Sequence, residues 1–295
     1  SSAASDVYKR QVWSSQALGL MVSIPLMALA PFLTGGADEL LIGFLLVYVA
    51  ATLWIQLGRN WIAMHAVNTA ASTLPLLFVV VFTPEVDRWF FTVAVVTNVV
   101  LAVGSSIALM PSSREPIVAA LIAAVSIIPI IGAAQVTGEV VAASILGGIT
   151  VVLVLIALAG ARLPGVNREV RVVWLSSAAV TALTAAGTVL DGFGMSVAVA
   201  GIAVVTGIAA VSAVTSVSAK DLGAPLRIIA TVFTGLALLS TGASGSLAQL
   251  FVVDALPTSE QVLLLVVVGL TLAAVAVLTY TCLLYTSDAA DDSLR

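Results

Sequence analysis

Apolar residues run through this chain in long blocks rather than in alternation. Ten blocks stand out, at 16–34, 38–57, 61–82, 89–110, 116–134, 140–160, 172–190, 193–217, 226–240 and 261–281. Most are near the ~20 residues that a helix needs to cross the hydrocarbon core of a bilayer. Strands of a membrane barrel would show a polar residue at every second position. "AALIAAVSIIPIIGAA" (119–134) and "VLLLVVVGLTLAAVAVL" (262–278) show no such alternation. The pattern predicts an all-α fold, a polytopic transmembrane helical bundle of about ten spans. The ninth block is the least regular, because apolar character resumes in "SLAQLFVV" (246–253).

Short polar connections separate the blocks: "TGGADE", "LGRN", "TPEVDR", "MPSSREP", "QVTGE" and "LDGFG". Glycine, proline and aspartate supply turn chemistry in them. Connections this short make successive helices antiparallel neighbours, and no linker divides the chain. Composition agrees. The chain is 61% hydrophobic and 9% charged, whereas about a quarter of the residues of a soluble domain are charged. The lipid bilayer is its solvent.

Charge sorts with the connections. Arg59, Arg114, the trio Arg162, Arg168 and Arg171, and the pair Lys220 and Arg227 fall in even-numbered connections. Odd-numbered ones carry only Arg88, beside Glu85 and Asp87. Positive loops stay on the cytoplasmic side, which places the N-terminus of the bundle in the cytoplasm and the protein in the plasma (inner) membrane of a bacterium.

The two ends read differently. Residues 5–11 can be encoded by TCA GAT GTG TAT AAG AGA CAG, and residues 282–287 by TGT CTC TTA TAC ACA TCT, the reverse complement of most of that string. Both resemble the translated transposon end of a sequencing library. Residues 1–11 and 282–295 are therefore expected to be non-native tails, and 12–281 a truncated transmembrane domain. The tails hold four of the 15 acidic and three of the 11 basic residues, leaving 11 and 8 and a net charge near −3. That balance implies no nucleic-acid partner. The only cysteine, Cys282, lies in a tail, so no disulfide or thiolate site is expected.

Polar residues inside the spans are few. His65, the only histidine, sits one turn into the third span, with Asn68 on the same helical face. Asn98 occupies the middle of the fourth. Two readings stand for His65, Asn68 and Asn98: contacts for a substrate or a proton, or hydrogen bonds that join neighbouring helices. Pro25, Pro31, Pro75 and Pro129 interrupt spans and free backbone carbonyls there. Ala203 and Gly207 mark a face suited to close helix approach. A single histidine excludes a paired-histidine haem site within the chain, and no span holds a lysine for a Schiff base. No phosphate-binding glycine loop, catalytic triad or metal-ligand spacing is present. The expectation is a protein that is not an enzyme and uses no cofactor or metal.

"QLGRNW" (56–61) and "AKDLGAPLRIIATVFTGLALL" (219–239) occupy the connections after the second and eighth spans. "MPSSREPIVAALIAA" (110–124) follows the fourth, and the basic "GARLPGVNREVR" (160–171) lies between the sixth and seventh. In these places the chain resembles transporters of the major facilitator superfamily, across all ten spans. The resemblance implies alternating access for a small solute, uncharged or apolar given the neutral interior, with further spans beyond the C-terminal end. It also implies gating roles for Arg59, Asp221 and Arg227. The first motif lacks its acidic residue, so Arg59 needs an acceptor elsewhere, either a helix C-terminal carbonyl or a carboxylate such as Glu115 or Glu169. A non-catalytic subunit of an export machine, similar to the multispanning component of type VII secretion, is the alternative. Nothing in the sequence indicates an oligomeric state.

Overall fold

The computed structural model describes residues 16–34, 39–82, 86–191, 193–215, 222–243 and 258–293. Every regular element among them is helical. In chain order these are α1 (Gln16–Thr34), α2 (Glu39–Gln56), α3 (Ile62–Phe82), α4 (Arg88–Leu109), α5 (Pro116–Val125), α6 (Ile128–Ile131), α7 (Ala134–Thr137), α8 (Glu139–Ala159), α9 (Arg168–Val189), α10 (Phe193–Thr215), α11 (Gly223–Ala243) and α12 (Thr258–Ser293).

Eight of the described helices are long and apolar enough to cross a bilayer: α2, α3, α4 and α8 to α12. The first and fifth expected spans are not among them. The fifth is not one helix but three short ones, α5 to α7. Pro129 explains the first interruption, because its ring removes a backbone donor and blocks the preceding turn. Around it the backbone tightens to bonds spanning three residues: Ser126 N–H to Ala123 O, Ile127 N–H to Ala124 O, and Ile130 N–H to Ile127 O. Gly132 marks the second interruption. A side chain there would overlap Val80 Cγ1 of α3, so glycine is what allows α3 to approach. α12 runs well beyond 281 into the C-terminal tail segment, where Cys282 and Leu283 are exposed. Residues 1–11 lie outside the described residues.

The helices form two compact units. The first comprises Ser1–Ile145 with Arg162–Trp174, the second Leu146–Ala161 with Leu175–Arg295. The division falls inside α8 and α9, not in the basic connection between them.

In the first unit, connections two, four and six meet at one end. Ser112 Oγ donates to Arg59 O at 3.3 Å, and Arg114 N–H donates to Asn60 Oδ1 at 3.3 Å. Gly165, at φ +79°, lies so close to the chain at Met110 that a Cβ would sit 2.6 Å from its carbonyl oxygen. Connections one and three meet likewise, through Asp87 N–H donating to Glu39 Oε1 at 3.0 Å. Large apolar side chains such as Leu40, Trp54, Val81 and Trp89 point outward, as a hydrocarbon solvent permits. The interior of this unit instead buries Thr52, Gln56, Thr69, Ser72, Thr73 and Ser105. Polar side chains between helices are the usual adhesive inside a bilayer. The second unit buries threonine and serine hydroxyls but no amide or imidazole among the described residues. Its core packs Val199, Ala200 and Ala203 of α10 against Phe233 and Ala237 of α11 and Ala274 of α12.

Candidate functional site

Thr52 organises the polar interior of the first unit. Its hydroxyl lies 2.9 Å from Tyr48 O and 3.1 Å from Val49 O, one and the same helix's carbonyls. Having donated its hydrogen there, Oγ1 accepts from Asn68 Nδ2 at 2.8 Å, which ties α3 to α2. Gln56 Nε2 donates to Thr52 O at 3.2 Å. His65 Nδ1 lies 3.4 Å from Ser105 Oγ on α4. Both His65 and Asn68 are 2% exposed, so both face the bundle interior as their polarity demands. The void beside them measures only ≈ 10 Å³. Asn68 joins α3 to α2 through Thr52, and His65 meets α4 at Ser105.

Asn98 is fully buried and serves the break in the fifth segment. Ile130 N–H bonds to Ile127 O and not to Ser126 O, which leaves the Ser126 carbonyl without its helical donor. Asn98 Nδ2 reaches that carbonyl at 3.3 Å and Thr73 Oγ1 at 3.3 Å. One amide thus joins α4 to α3 and to the interrupted segment. A carbonyl freed by proline is re-satisfied by a neighbouring helix, which is how such breaks persist in lipid.

Of the three gating candidates, Asp221 lies outside the described residues. Arg59 follows Gly58, whose φ of +76° ends α2 in the left-handed region that glycine enters freely. Its guanidinium donates to Ile55 O at 3.0 Å and stacks over the Trp61 ring at 4.9 Å. The acceptor is therefore a C-terminal carbonyl of α2, where the negative end of the helix dipole favours a cation. Arg227 is half-buried in the first turns of α11, within the second unit.

That unit holds a feature the sequence did not indicate. A cleft of ≈ 830 Å³ runs between a wall formed by α8 and α9 and a wall formed by α10 and α11. Thr150, Val154 and Leu158 line it from α8, Leu175, Ala178 and Ala182 from α9, Gly201, Val205 and Ala209 from α10, and Leu226 and Ile229 from α11. Its few hydroxyls are turned back onto their own helices. Thr150 donates to Leu146 O at 2.8 Å, Thr206 to Ile202 O at 2.8 Å and Ser212 to Ile208 O at 2.7 Å. The wall is apolar in effect as well as in composition, and its volume is that of a small-molecule site.

No family model matches this chain. Neither a curated protein nor a solved structure does so either. The functional reading therefore rests on the residues of this chain and their geometry. The sequence singled out Ala203 and Gly207 of α10 and did not point to the cleft. Those last two do mark a close approach: a Cβ on Gly207 would sit 2.9 Å from Val277 Cγ1 of α12. Among the described residues no group of histidine, cysteine, aspartate and glutamate is placed to hold a metal ion.

Proposed function

We propose that this chain is a secondary carrier of a small uncharged or apolar solute, working by alternating access in the plasma membrane of a bacterium. The cleft of the second unit carries the reading. It is large enough for a small molecule, has no charged side chain in its wall, and is bordered by helices whose hydroxyls make no demand on a ligand. An apolar solute would enter it by exchanging water contact for contact with aliphatic side chains, which is favourable without any polar partner. In alternating access this cleft would open to one side of the membrane and then to the other.

The ten-span arrangement with a cytoplasmic N-terminus belongs to the same proposal. The gathering of the basic connections two, four and six at one end of the first unit supports it, through the preference of positive loops for the cytoplasm. The resemblance to the facilitator superfamily supplies the gating roles of Arg59, Asp221 and Arg227. His65, Asn68 and Asn98 serve on this reading to hold the first unit together while the second takes the solute.

Gly201 offers the test. A Cβ at this position meets nothing within 4 Å, so Gly201→Phe places an aromatic ring at the wall of the cleft, where there is open space. With the protein reconstituted in vesicles, uptake of a panel of apolar and uncharged solutes should fall at least tenfold in the variant, at unchanged folded yield. Uptake equal to that of the unsubstituted protein would remove the cleft from the pathway. Uptake of nothing by either protein would favour a passive subunit.

A further inference from the structure

We infer that one internal water molecule occupies the void beside Gln56 and Asn68 and bridges α2 and α3 in the first unit. The void measures ≈ 10 Å³ and is lined by Val49, Leu53, Gln56, His65, Asn68 and Ser105 among others. A single water needs about that much room and two to four polar partners. The hydrogen-bond pattern decides which atoms are free to be partners. Gln56 points its amide nitrogen at Thr52 O, a group that only accepts, so Oε1 is left over. Thr52 Oγ1 has given its hydrogen to a carbonyl of its own helix, so it must accept from the nitrogen of Asn68, and Oδ1 is left over. Gln56 Oε1 and Asn68 Oδ1 are each buried without a hydrogen-bond partner in the protein. Both residues are 2% exposed.

Two unmet acceptors beside a water-sized void match the two donors of one water molecule. A bare monovalent cation fits the volume but not the chemistry. The lining holds no carboxylate, and an uncompensated ion in a low-dielectric interior is strongly disfavoured. A dry void would leave two buried acceptors unmet in one place. This water is independent of the solute cleft, which belongs to the second unit.

A density map of the unsubstituted protein at about 2 Å resolution tests the proposal directly. The expected result is one isolated peak within ordinary hydrogen-bond distance, about 2.7–3.2 Å, of both Gln56 Oε1 and Asn68 Oδ1. An empty void overturns it. A second measurement reads the bridge through stability. Gln56→Leu and Asn68→Leu should each lower the melting temperature by a few degrees, and the double variant by clearly less than the two shifts combined, because one bridge is lost only once. Additive shifts would refute a shared water. A rise in melting temperature with sodium or potassium, absent in Asn68→Leu, would overturn it in favour of an ion.

Discussion

Replacing Gly132 with alanine adds one methyl group at the second break of the fifth segment, where the surroundings have no room for it. A Cβ there overlaps Val80 Cγ1 outright and lies 3.5 Å from Val80 Cβ and 3.6 Å from Cγ2. Val80 sits within α3, where a β-branched side chain is held to one preferred χ1 rotamer. Turning it aside costs about 0.5–1.5 kcal/mol. Moving the backbones apart instead costs roughly 1–3 kcal/mol, the usual range for overpacking a filled interior. One term opposes these. Gly132 has φ −88°, a conformation open to alanine, so the substitution also stiffens the unfolded chain, worth about 0.4–1 kcal/mol in favour of the fold. The net expectation is a loss of about 1–2 kcal/mol.

Gly201→Ala is the matching control. It makes the same chemical change inside α10, where the new Cβ meets nothing within 4 Å, so only the favourable term remains. Thermal unfolding in detergent, followed by circular dichroism, should move in opposite directions for the two variants. Adding Val80→Ala to Gly132→Ala removes the overlapping methyl and should recover most of the loss, with a coupling of about 1 kcal/mol or more. If Gly132→Ala proves as stable as Gly201→Ala, α3 does not approach the break as described, and the account of the interrupted segment fails.

Three further outcomes are expected. Asp87 accepts hydrogen bonds from Trp89 N–H and Phe90 N–H at the start of α4, so Asp87→Ala should destabilise by about 0.5–2 kcal/mol and Asp87→Asn by much less, read from the same unfolding curves. Arg59→Ala should slow transport while leaving membrane insertion intact, since six other basic residues of the even-numbered connections remain to set orientation; unchanged transport removes the gating role. Single cysteines placed at Arg114 or Arg168, with Cys282 replaced, should react with an impermeant reagent only from the cytoplasmic side, and reaction from outside refutes the orientation.

Much of the fold was legible because the bilayer leaves a sequence few options. Every buried backbone group must be satisfied within a span, so long apolar blocks become helices whatever their detailed composition. Inward placement of His65, Asn68 and Asn98 follows from the same solvent. The interruption of the fifth segment was less legible. Pro129 and Gly132 marked the place, but a proline inside a span can kink a helix or end it. Pro75 stands within the continuous helix α3, whereas Pro129 ends one. The difference lies in the surroundings: a donor from α4 waits for the carbonyl freed near Pro129. The cleft was not legible at all, and α10 shows why. Gly207 and Gly201 are the same residue type on one helix, yet one meets Val277 and the other meets open space. A small residue permits either a close approach or a void, and only the neighbouring helix decides which.

The two units put their polar groups to different uses, and this sets what opening each of them would cost. Separating α2 from α3 in the first unit would break the bond from Asn68 to Thr52, and separating α4 from the interrupted segment would break the bond from Asn98 to Ser126 O. Such bonds are worth about 0.6 kcal/mol on average and up to about 1.7 within a bilayer, so the pair resists opening by one to a few kcal/mol. In the second unit, Thr150 pairs with Thr181 at 2.8 Å, which joins α8 to α9 on the same wall of the cleft. Thr206 and Ser212 bond back to their own helix on the opposite wall. Widening or narrowing the space between the two walls leaves all of these bonds intact. The resistance to that motion comes from dispersion between aliphatic surfaces, which a solute or a lipid chain of similar character replaces contact for contact. A carrier must change shape around its cargo at little cost, and that condition is met by the apolar cleft and not by the hydrogen-bonded interior beside His65.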